Sequence, residues 1–199
     1  MTTFAFPSIT PATNTFELVS NTRTYQSPLT NAVQTASRKG SLWKASLQFN
    51  NLSGDDRKVM QAFLVKLNGQ QHRFTLQDHS HTLRGAGGGN LVVNGASQSG
   101  TTLVCDGATA NVNNYLRAGD YVSFNNELHM VVADTNSDGS GNVSIAIAPP
   151  IRKSPPDDTI VDYTEPVQGV FMLAGPASWN TTIDIHSSFT IEAVEDVLA

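Results

Sequence analysis

The sequence predicts a mainly β protein with one α-helix and an inserted all-β unit. Three observations support this fold class. Apolar and polar residues alternate in SLWKASLQFNNL, helical periodicity follows directly after it, and short apolar runs separated by turn-forming residues fill the centre of the chain. A β-sandwich or barrel accommodates such a pattern.

The first clear strand is the alternating segment itself. Its apolar residues share one face and its polar residues the other, which is typical of a half-buried strand. The apolar face consists of Trp43, Ala45, Leu47 and Phe49. Shorter strand candidates precede it at Phe16–Asn21 and Ala32–Ala36.

One helix is predicted immediately after this strand. Ser53 is a suitable N-cap, and Asp56 three residues later gives a carboxylate variant of the capping box. Asn68, followed by a glycine, supplies the left-handed residue of a C-cap. The apolar stripe comprises Val59, Met60, Phe63, Leu64 and Leu67. A strand is expected next at Arg73–Leu76, so the helix should lie across one sheet face.

A glycine-rich joint separates this unit from the next. RGAGGG contains four glycines from Gly85 to Gly89 and is expected to be irregular. The short strands predicted after it suggest a small barrel or sandwich. They are Leu91–Val93, Thr101–Cys105, Tyr121–Phe124, Leu128–Ala133 and Val143–Ala148. The proline-rich run Ala148–Asp158 is expected to be an extended connector.

Strand character returns at Gly169–Gly175 and Thr181–Val194. In the second segment a bulge or phase change near Ser187 would align the candidate buried face, which is Ile183, Ile185, Phe189 and Ile191. The predicted first domain is therefore residues 1–80 completed by residues 169–199. The predicted inserted all-β domain is residues 81–168, and a continuous two-domain arrangement is the alternative.

The charge content narrows the classes of function. Charged residues are 15% of the chain, compared with roughly 25% in an ordinary soluble domain. So little charge favours a surface of uncharged polar residues or burial of the surface in an assembly. The net charge of −5 argues against a nucleic-acid partner, since Arg152-Lys153 is the closest approach to a basic cluster.

The single cysteine and the N-terminus add two expectations. Cys105 allows no intrachain disulfide framework and is expected to pack as a buried, inert residue. The N-terminus lacks the basic region and apolar run of a signal peptide, and no segment has the ~18–20 apolar residues that span a bilayer. We therefore expect a soluble protein, made in a cytoplasm, without membrane insertion.

The stretch DTNSDGSGN is similar to the beginning of a calcium-binding loop. Its first four requirements are met by Asp134, Asn136, Asp138 and Gly139, but Ile145 occupies the place of the bidentate glutamate. The flanking sequences are strand-like, and these polar residues are also typical of hairpin turns. We interpret the stretch as a turn.

Other candidate metal and phosphate sites are weaker. His72, His79 and His81 beside Asp78 have the composition of a metal cluster, but no HExxH or cysteine pair accompanies them. RGAGGG lacks the lysine and the following helix of a phosphate-binding loop. We predict no metal site and no cofactor.

Candidates for catalysis and sugar binding are also few. The carboxylate pairs Asp55-Asp56 and Asp157-Asp158 show no partner at the spacing of glycosidases, and no GxSxG or Cys–His arrangement is present. The sequence therefore predicts no catalytic residues and no enzyme. Four aromatic residues could line a sugar-binding face, although core packing is the favoured interpretation. They are Trp43, Tyr115, Tyr121 and Trp179.

Several motifs resemble, in the same order, segments of the distal tail proteins of long-tailed bacteriophages (siphophages). The motifs are WKASLQF, FLVKLNG, QHRFTLQD, RGAGGG, LRAGDYVSF, IAIAPPIRKSPPDD and GVFMLAG, with Trp179 close behind. The resemblance extends roughly from Trp43 to Trp179, whereas residues 1–40 carry no family signature. It implies a tail-tube-like β-sandwich with one helix, assembled as a ring that is commonly hexameric, with the inserted β domain outside it.

The resemblance also implies a function. Members of this family form the hub that joins the tail tube to the receptor-binding apparatus, so the expected partners are copies of the chain, the tube protein and tail hub or fibre proteins. The expected location is the tail tip of the virion, after assembly in the host cytoplasm. Charge depletion and edge strands suit a ring subunit. The alternatives are another ring-forming tail component, such as a tube or terminator protein, or a carbohydrate-binding module that contacts a host-surface glycan.

Overall fold

The computed structural model describes residues 1–183 and 185–197, which contain fourteen strands and one helix. The helix α1 is Gly54–Leu67. The strands are β1 Thr3–Ala5, β2 Thr13–Val19, β3 Thr22–Gln26, β4 Val33–Ser37, β5 Leu42–Leu52, β6 Arg73–Leu76, β7 Gly89–Val93, β8 Gly100–Ala108, β9 Tyr121–Phe124, β10 Glu127–Val131, β11 Val143–Ile151, β12 Gly169–Leu173, β13 Ser178–Thr181 and β14 Ser187–Glu195. The predicted fold class, mainly β with one helix, is confirmed.

Seven strands from the two ends of the chain form one sheet. Its order is β1-β6-β12-β14-β5-β2, and β13 also pairs with β14. The neighbours are antiparallel except β1 and β6, which are parallel. The register of β14 on β5 places Ile191 opposite Leu47 and Phe189 opposite Phe49, all four buried. The alternation predicted for β5 is therefore confirmed, because its apolar face is the centre of this sheet's core.

Helix α1 packs its apolar stripe against the same core. Phe63 contacts Phe74 of β6, with ring centroids 5.7 Å apart. The predicted C-cap is confirmed, since Asn68 has φ 50° and ψ 54° and its N–H donates to a carbonyl of the last turn. The buried stripe consists of Met60, Phe63, Leu64 and Leu67.

Two details of the helix prediction are wrong. Val59 is 49% exposed, because it lies one position outside the stripe that begins at Met60. Ser53 is the N-cap residue, but its side chain makes no capping hydrogen bond within the described part of the chain. Gly54 explains this, because its φ of +56° departs from the helical value that the first residue of a capping box adopts.

The inserted strands close into a small barrel. Five of them form an antiparallel sheet in the order β7-β8-β11-β10-β9. Residues 158–162 then bridge its two edges: Val161 N–H donates to Leu91 of β7 over 2.9 Å, and Ser123 N–H of β9 donates to Asp162 over 2.7 Å. Closure leaves both edges of this sheet covered.

The prediction of an extended connector at Ala148–Asp158 is therefore wrong at both ends of this run. Ala148 to Ile151 belong to β11, and Asp158 begins the segment that closes the barrel. Prolines are tolerated in β11 because its register on β8 shifts between Ala146 and Ile151. Backbone N–H groups in that part of the strand are therefore not all required for hydrogen bonds between the two strands.

The C-terminal strand prediction is partly wrong. Phe189 and Ile191 are buried and the register shifts between Ser187 and Phe189, as predicted. Ile183, however, is fully exposed and Ile185 is 60% exposed, because the chain reverses there between β13 and β14. The predicted strand also included Asp184, which, like the last two residues of the predicted first domain, lies outside the described residues.

The barrel packs against the seven-stranded sheet through β9 and β10. Tyr121 and Leu128 belong to the same apolar cluster as Trp43 of β5. The Trp43 indole N–H donates to the Leu128 carbonyl over 2.8 Å, and its ring meets Tyr121 edge-on at 5.7 Å. This contact positions the barrel on the sheet.

Candidate functional site

In the calcium-like stretch, side-chain oxygens accept hydrogen bonds from backbone N–H groups. Asp134, Asn136 and Asp138 accept hydrogen bonds from three separate parts of the chain instead of converging on one point. The donors are Ala118 N–H at 2.9 Å, Asn114 N–H at 2.7 Å and Ser140 N–H at 2.8 Å, respectively. The pKa of Asp138 is lowered, chiefly by the hydrogen bond from the Asn142 amide. This arrangement supports the interpretation of a turn.

The three histidines near Asp78 are directed to different neighbours. His72 accepts from Thr2 N–H over 3.3 Å, His79 packs edge-on against Phe6, and His81 meets the Tyr121 ring edge-on. Burial lowers the pKa of His79, an effect partly offset by Asp78. No group of three or more metal-ligating side chains occurs among residues 1–183 and 185–197.

The glycine-rich joint is an ordered packing element, and the prediction of irregular backbone is wrong at its end because Gly89 begins β7. Tyr163 accepts from Gly88 N–H over 3.0 Å and donates to the Gly89 carbonyl over 2.8 Å. A Cβ at Gly89 would lie 2.3 Å from the Gly107 carbonyl oxygen. Glycine is therefore required here for close approach of two strands.

The aromatic residues considered for sugar stacking are mostly in the core. Trp43, Tyr115 and Tyr121 are buried, and burial is the main cause of the raised pKa of both tyrosines. Trp179 is 38% exposed and leans on Phe189. The favoured interpretation, core packing, thus holds for Trp43, Tyr115 and Tyr121. Neither tyrosine has an exposed ring face on which a sugar could stack.

The remaining polar candidates have structural roles. Asp55 and Asp56 lie in the first turn of α1, where they suit the helix dipole. Asp157 accepts from Gly95 N–H over 2.7 Å and so holds a turn of the barrel. Cys105 is buried as predicted, and burial raises the pKa of its thiol to about 12, which leaves it inert at neutral pH.

A buried ionic cluster, which we call the clamp, lies where the barrel meets the sheet. It consists of Glu127 and His129 of β10, Arg152 after β11 and Glu195 of β14. Arg152 binds Glu195 with two guanidinium nitrogens, over 2.8 and 2.6 Å, and a third bond reaches the Ser41 carbonyl over 2.8 Å. The paired carboxylate raises the pKa of Arg152 despite its burial. The clamp joins both ends of the chain to the inserted barrel.

Both carboxylates of the clamp also accept backbone N–H groups. Glu195 accepts from Trp43 over 3.1 Å and from Leu128 over 3.0 Å, one strand from each sheet. Glu127 accepts from the N–H groups of Arg152 and Lys153, over 3.1 and 3.0 Å. Burial alone would raise the pKa of Glu127, but these contacts and the neighbouring His129 lower it overall.

The clamp was not predicted from the sequence. Its members are up to 68 residues apart in sequence (Glu127 to Glu195), and they meet only because β14 and β10 pack together. One signal was available: Glu195 falls on the buried face of the alternation in β14, and a charged residue there needs a buried partner.

Lowering the pH should weaken the clamp through Glu127. Its pKa is lower in the folded protein than its ordinary value of 4.5, so its stabilising contribution is complete above that value and is lost as the pH falls below it. We expect the free energy of unfolding, measured in urea from pH 7 to pH 3, to fall less steeply in Glu127→Gln than in the wild type. Equal slopes would contradict this expectation.

An exposed hairpin, which we call the arm, extends from the sheet. It comprises β3, β4 and the following residues to Lys39, and its residues are exposed except Ser27. Leu29 at its tip is 93% exposed, and Tyr25 and Val33 expose more than half of their surface. Of these two strands β4 was predicted and β3 was not, although every residue of both is exposed. An isolated two-stranded hairpin is only marginally stable in water.

The seven-stranded sheet also offers open strand edges. Within the described residues β2 pairs only with β5, and β1 pairs only with β6. Each therefore presents one row of backbone N–H and C=O groups that another strand could extend.

The cavities are shallow grooves. The largest described one, about 430 Å³, runs between β7 and the barrel-closing segment, where Ile160 and Asp162 line it. A second of about 260 Å³ lies between Phe6 and His79. Asp162 is the one acidic residue that lines the first groove, and His79 is the one titratable residue that lines the second.

Comparison of the sequence with protein-family models and with curated proteins found no match. In the part of the chain that the structure describes, no helix has both the length and the apolar character needed to cross a membrane.

Proposed function

We propose that this chain is a structural protein of a bacteriophage tail tip, a distal tail hub that forms a ring between the tail tube and the receptor-binding apparatus. Residues 1–80 and 169–199 would form the ring, and residues 81–168 would face outwards to fibres or host. The observation that carries the proposal is the arm, which is a hairpin without core contacts in a chain poor in charge. The resemblance of the motifs from Trp43 to Trp179 supports this choice of family.

Charge complementarity supports a copy of the same chain as the partner of the arm. The arm contains Arg23, Arg38 and Lys39 but none of the 17 acidic residues of the chain. It is basic while the whole chain has a net charge of −5, so the arm of one subunit is attracted to the body of the next. A head-to-tail contact of this kind, repeated by rotation, closes into a ring.

The sheet edges support the same arrangement. β1 and β2 are at opposite ends of the strand order, so a neighbour can add to either end without disturbing the core. In a monomer such edges are a liability, whereas in a ring they are covered.

Removing the apolar residues of the arm should abolish assembly without unfolding the subunit. We expect the triple variant Tyr25→Ser, Leu29→Ser, Val33→Ser to be a monomer by light scattering at concentrations where the wild type is oligomeric. Its thermal unfolding midpoint as a monomer should be unchanged, because these side chains contact no core. The control replaces Val65, equally exposed but on α1, with serine and should leave assembly intact.

Electron microscopy of purified virions in which this chain is labelled tests its proposed position at the tail tip. Label at the distal end of the tail supports the proposed hub. Label along the tube or at the head-proximal end, or a wild-type chain that is monomeric at high concentration and missing from virions, would contradict it.

A further inference from the structure

The largest groove, which we call the barrel groove, combines apolar walls with an acidic border. It lies between β7 and the barrel-closing segment, has a volume of about 430 Å³, and is lined by residues that include Val92, Ile160 and Asp162. Ile160 exposes 75% of its surface, although isoleucine is usually buried. Residues 157–165 contain four exposed acidic residues and no lysine or arginine. The acidic residues are Asp157, Asp158, Asp162 and Glu165. Such a groove favours a partner that is both apolar and basic.

The barrel groove can accept an inserted side chain but not an added strand. β7 pairs with β8 on one side, and on the other the Leu91 carbonyl accepts from Val161 N–H over 2.9 Å. The closing segment is also bonded to β9, since Asp162 N–H donates to the Ser123 carbonyl over 2.8 Å. The backbone of both described walls is therefore already paired on its two sides. An occupant must instead present an exposed apolar side chain at the end of a projecting segment.

The arm carries such a side chain. Leu29 at its tip is 93% exposed, so the arm does not occupy the groove of its own subunit. β3 is five residues long, which places the tip roughly 15–20 Å from the end of the arm that joins the sheet. The basic residues of the arm, Arg23, Arg38 and Lys39, are all exposed, and their charge is opposite to that of residues 157–165.

Another exposed apolar turn is less suited to the barrel groove. Ile183 and Ile185 lie where the chain reverses from β13 to β14, and both are exposed. The residue between them in sequence is an aspartate, and neither lysine nor arginine occurs in residues 178–187. Like charges therefore oppose the approach of this turn to residues 157–165.

We propose that the barrel groove of one subunit receives the arm of a second copy of the chain, with Leu29 beside Ile160 and the basic residues of the arm against residues 157–165. This role of the groove rests on the proposed function, because it requires copies of the chain to associate. The arm and the groove are different surfaces of the chain, so the contact is head-to-tail and can close into a ring. The inserted barrel is then part of the contact between subunits.

Crosslinking of full-length variants tests which surfaces meet. Thr30→Cys lies beside the tip of the arm and Asn90→Cys lines the groove, so Leu29 and Ile160 are both retained. The two variants are mixed, allowed to assemble and treated with a short bismaleimide. Cys105 does not compete, because it is buried and the pKa of its thiol is raised to about 12. We expect a covalent dimer, with mass spectrometry of the linked peptides showing a bond between positions 30 and 90.

Val132→Cys in place of Asn90→Cys is the matched control. Val132 is 52% exposed, and its N–H donates to the Ala146 carbonyl of β11, on the side of the barrel opposite the groove in the strand order. It should give no crosslink to position 30. An oligomer without the link between positions 30 and 90, or with an equal link to position 132, would overturn this role of the groove and leave the proposed hub standing. A wild-type chain that is monomeric at high concentration would contradict both.

Removing the exposed apolar side chain of the groove should weaken association. We expect Ile160→Ser to raise the concentration at which the oligomer is half dissociated by about tenfold or more, because it removes one buried apolar contact from each interface. The circular dichroism spectrum of the variant should match that of the wild type, because Ile160 is mostly exposed in the subunit. Val132→Ser should associate like the wild type. Equal association of Ile160→Ser and the wild type would overturn the proposal.

The charge of the groove has a separate signature in the salt dependence of association. Asp162 accepts from Thr164 N–H over 3.2 Å, and an asparagine can keep this bond while it removes the negative charge. Adding salt should therefore weaken association less in Asp162→Asn than in the wild type, as measured by light scattering from low to high salt. Identical salt dependence in the two proteins would contradict the proposed contact between the arm and residues 157–165.

Discussion

Replacing Arg152 with methionine is expected to destabilise the protein by about 3–5 kcal/mol, because it leaves two buried carboxylates without their guanidinium. Methionine preserves much of the side-chain volume, so the loss is mainly electrostatic. Glu195 loses both short bonds, at 2.8 and 2.6 Å, and the Ser41 carbonyl loses its donor. In thermal unfolding the midpoint should fall by on the order of 10 °C.

The neighbouring residue provides a matched control. Lys153 has the same charge and is adjacent in sequence, but its side chain is exposed. Lys153→Met should therefore change the free energy of unfolding by no more than about 0.5 kcal/mol. If Arg152→Met were equally mild, the carboxylates of the clamp would have to be hydrated or protonated, and the role assigned to the clamp would be wrong.

Alanine at Gly107 is expected to cost roughly 2–5 kcal/mol, from a disfavoured backbone conformation together with overpacking. Gly107 has φ +75°, and a Cβ there would lie 2.1 Å from the Asn90 carbonyl oxygen. That oxygen belongs to the backbone of β7, which pairs with β8 on one side and with the barrel-closing segment on the other. The backbone cannot move away without opening the barrel. Urea unfolding monitored by fluorescence measures this decrease in the free energy of unfolding.

Gly95 distinguishes the cost of the backbone conformation from the cost of overpacking. It has a similar φ of +87°, but a Cβ would meet no atom of the described residues within 4 Å. Gly95→Ala should therefore show only the conformational cost, about 1–2 kcal/mol. Equal losses at Gly95 and Gly107 would mean that the close approach of the two strands contributes nothing.

The sequence was informative where local pattern and burial coincide. The alternation from Trp43 to Phe49 requires a strand with one buried face, and the spacing from Met60 to Leu67 requires a helix with one buried stripe. Asn68 was identifiable because the end of a helix needs a residue that adopts positive φ. The polar turn at Asp134 to Asn142 was recognisable because its residues favour bonds to their own backbone.

The sequence was misleading where a residue's environment comes from distant segments. Ile183 and Ile185 continue an apolar alternation, yet they lie where the chain reverses from β13 to β14, and both are exposed. Pro149 and Pro150 resemble the start of a connector, yet β11 continues through them. The arm has no apolar alternation, because a hairpin outside the core has no buried face to encode.

By itself the sequence determined the strands and the helix that bury one side, the scarcity of charge and the order of motifs that supports the proposed tail-tip family. Only the tertiary structure decided that residues 158–162 close a barrel, that Glu127, His129, Arg152 and Glu195 meet, and that the arm is exposed. The physical reason is the separation in sequence between the residues that interact. Periodicity records the burial of a residue relative to its neighbours in sequence, whereas a charge cluster or a closed barrel depends on pairings between segments far apart in the chain.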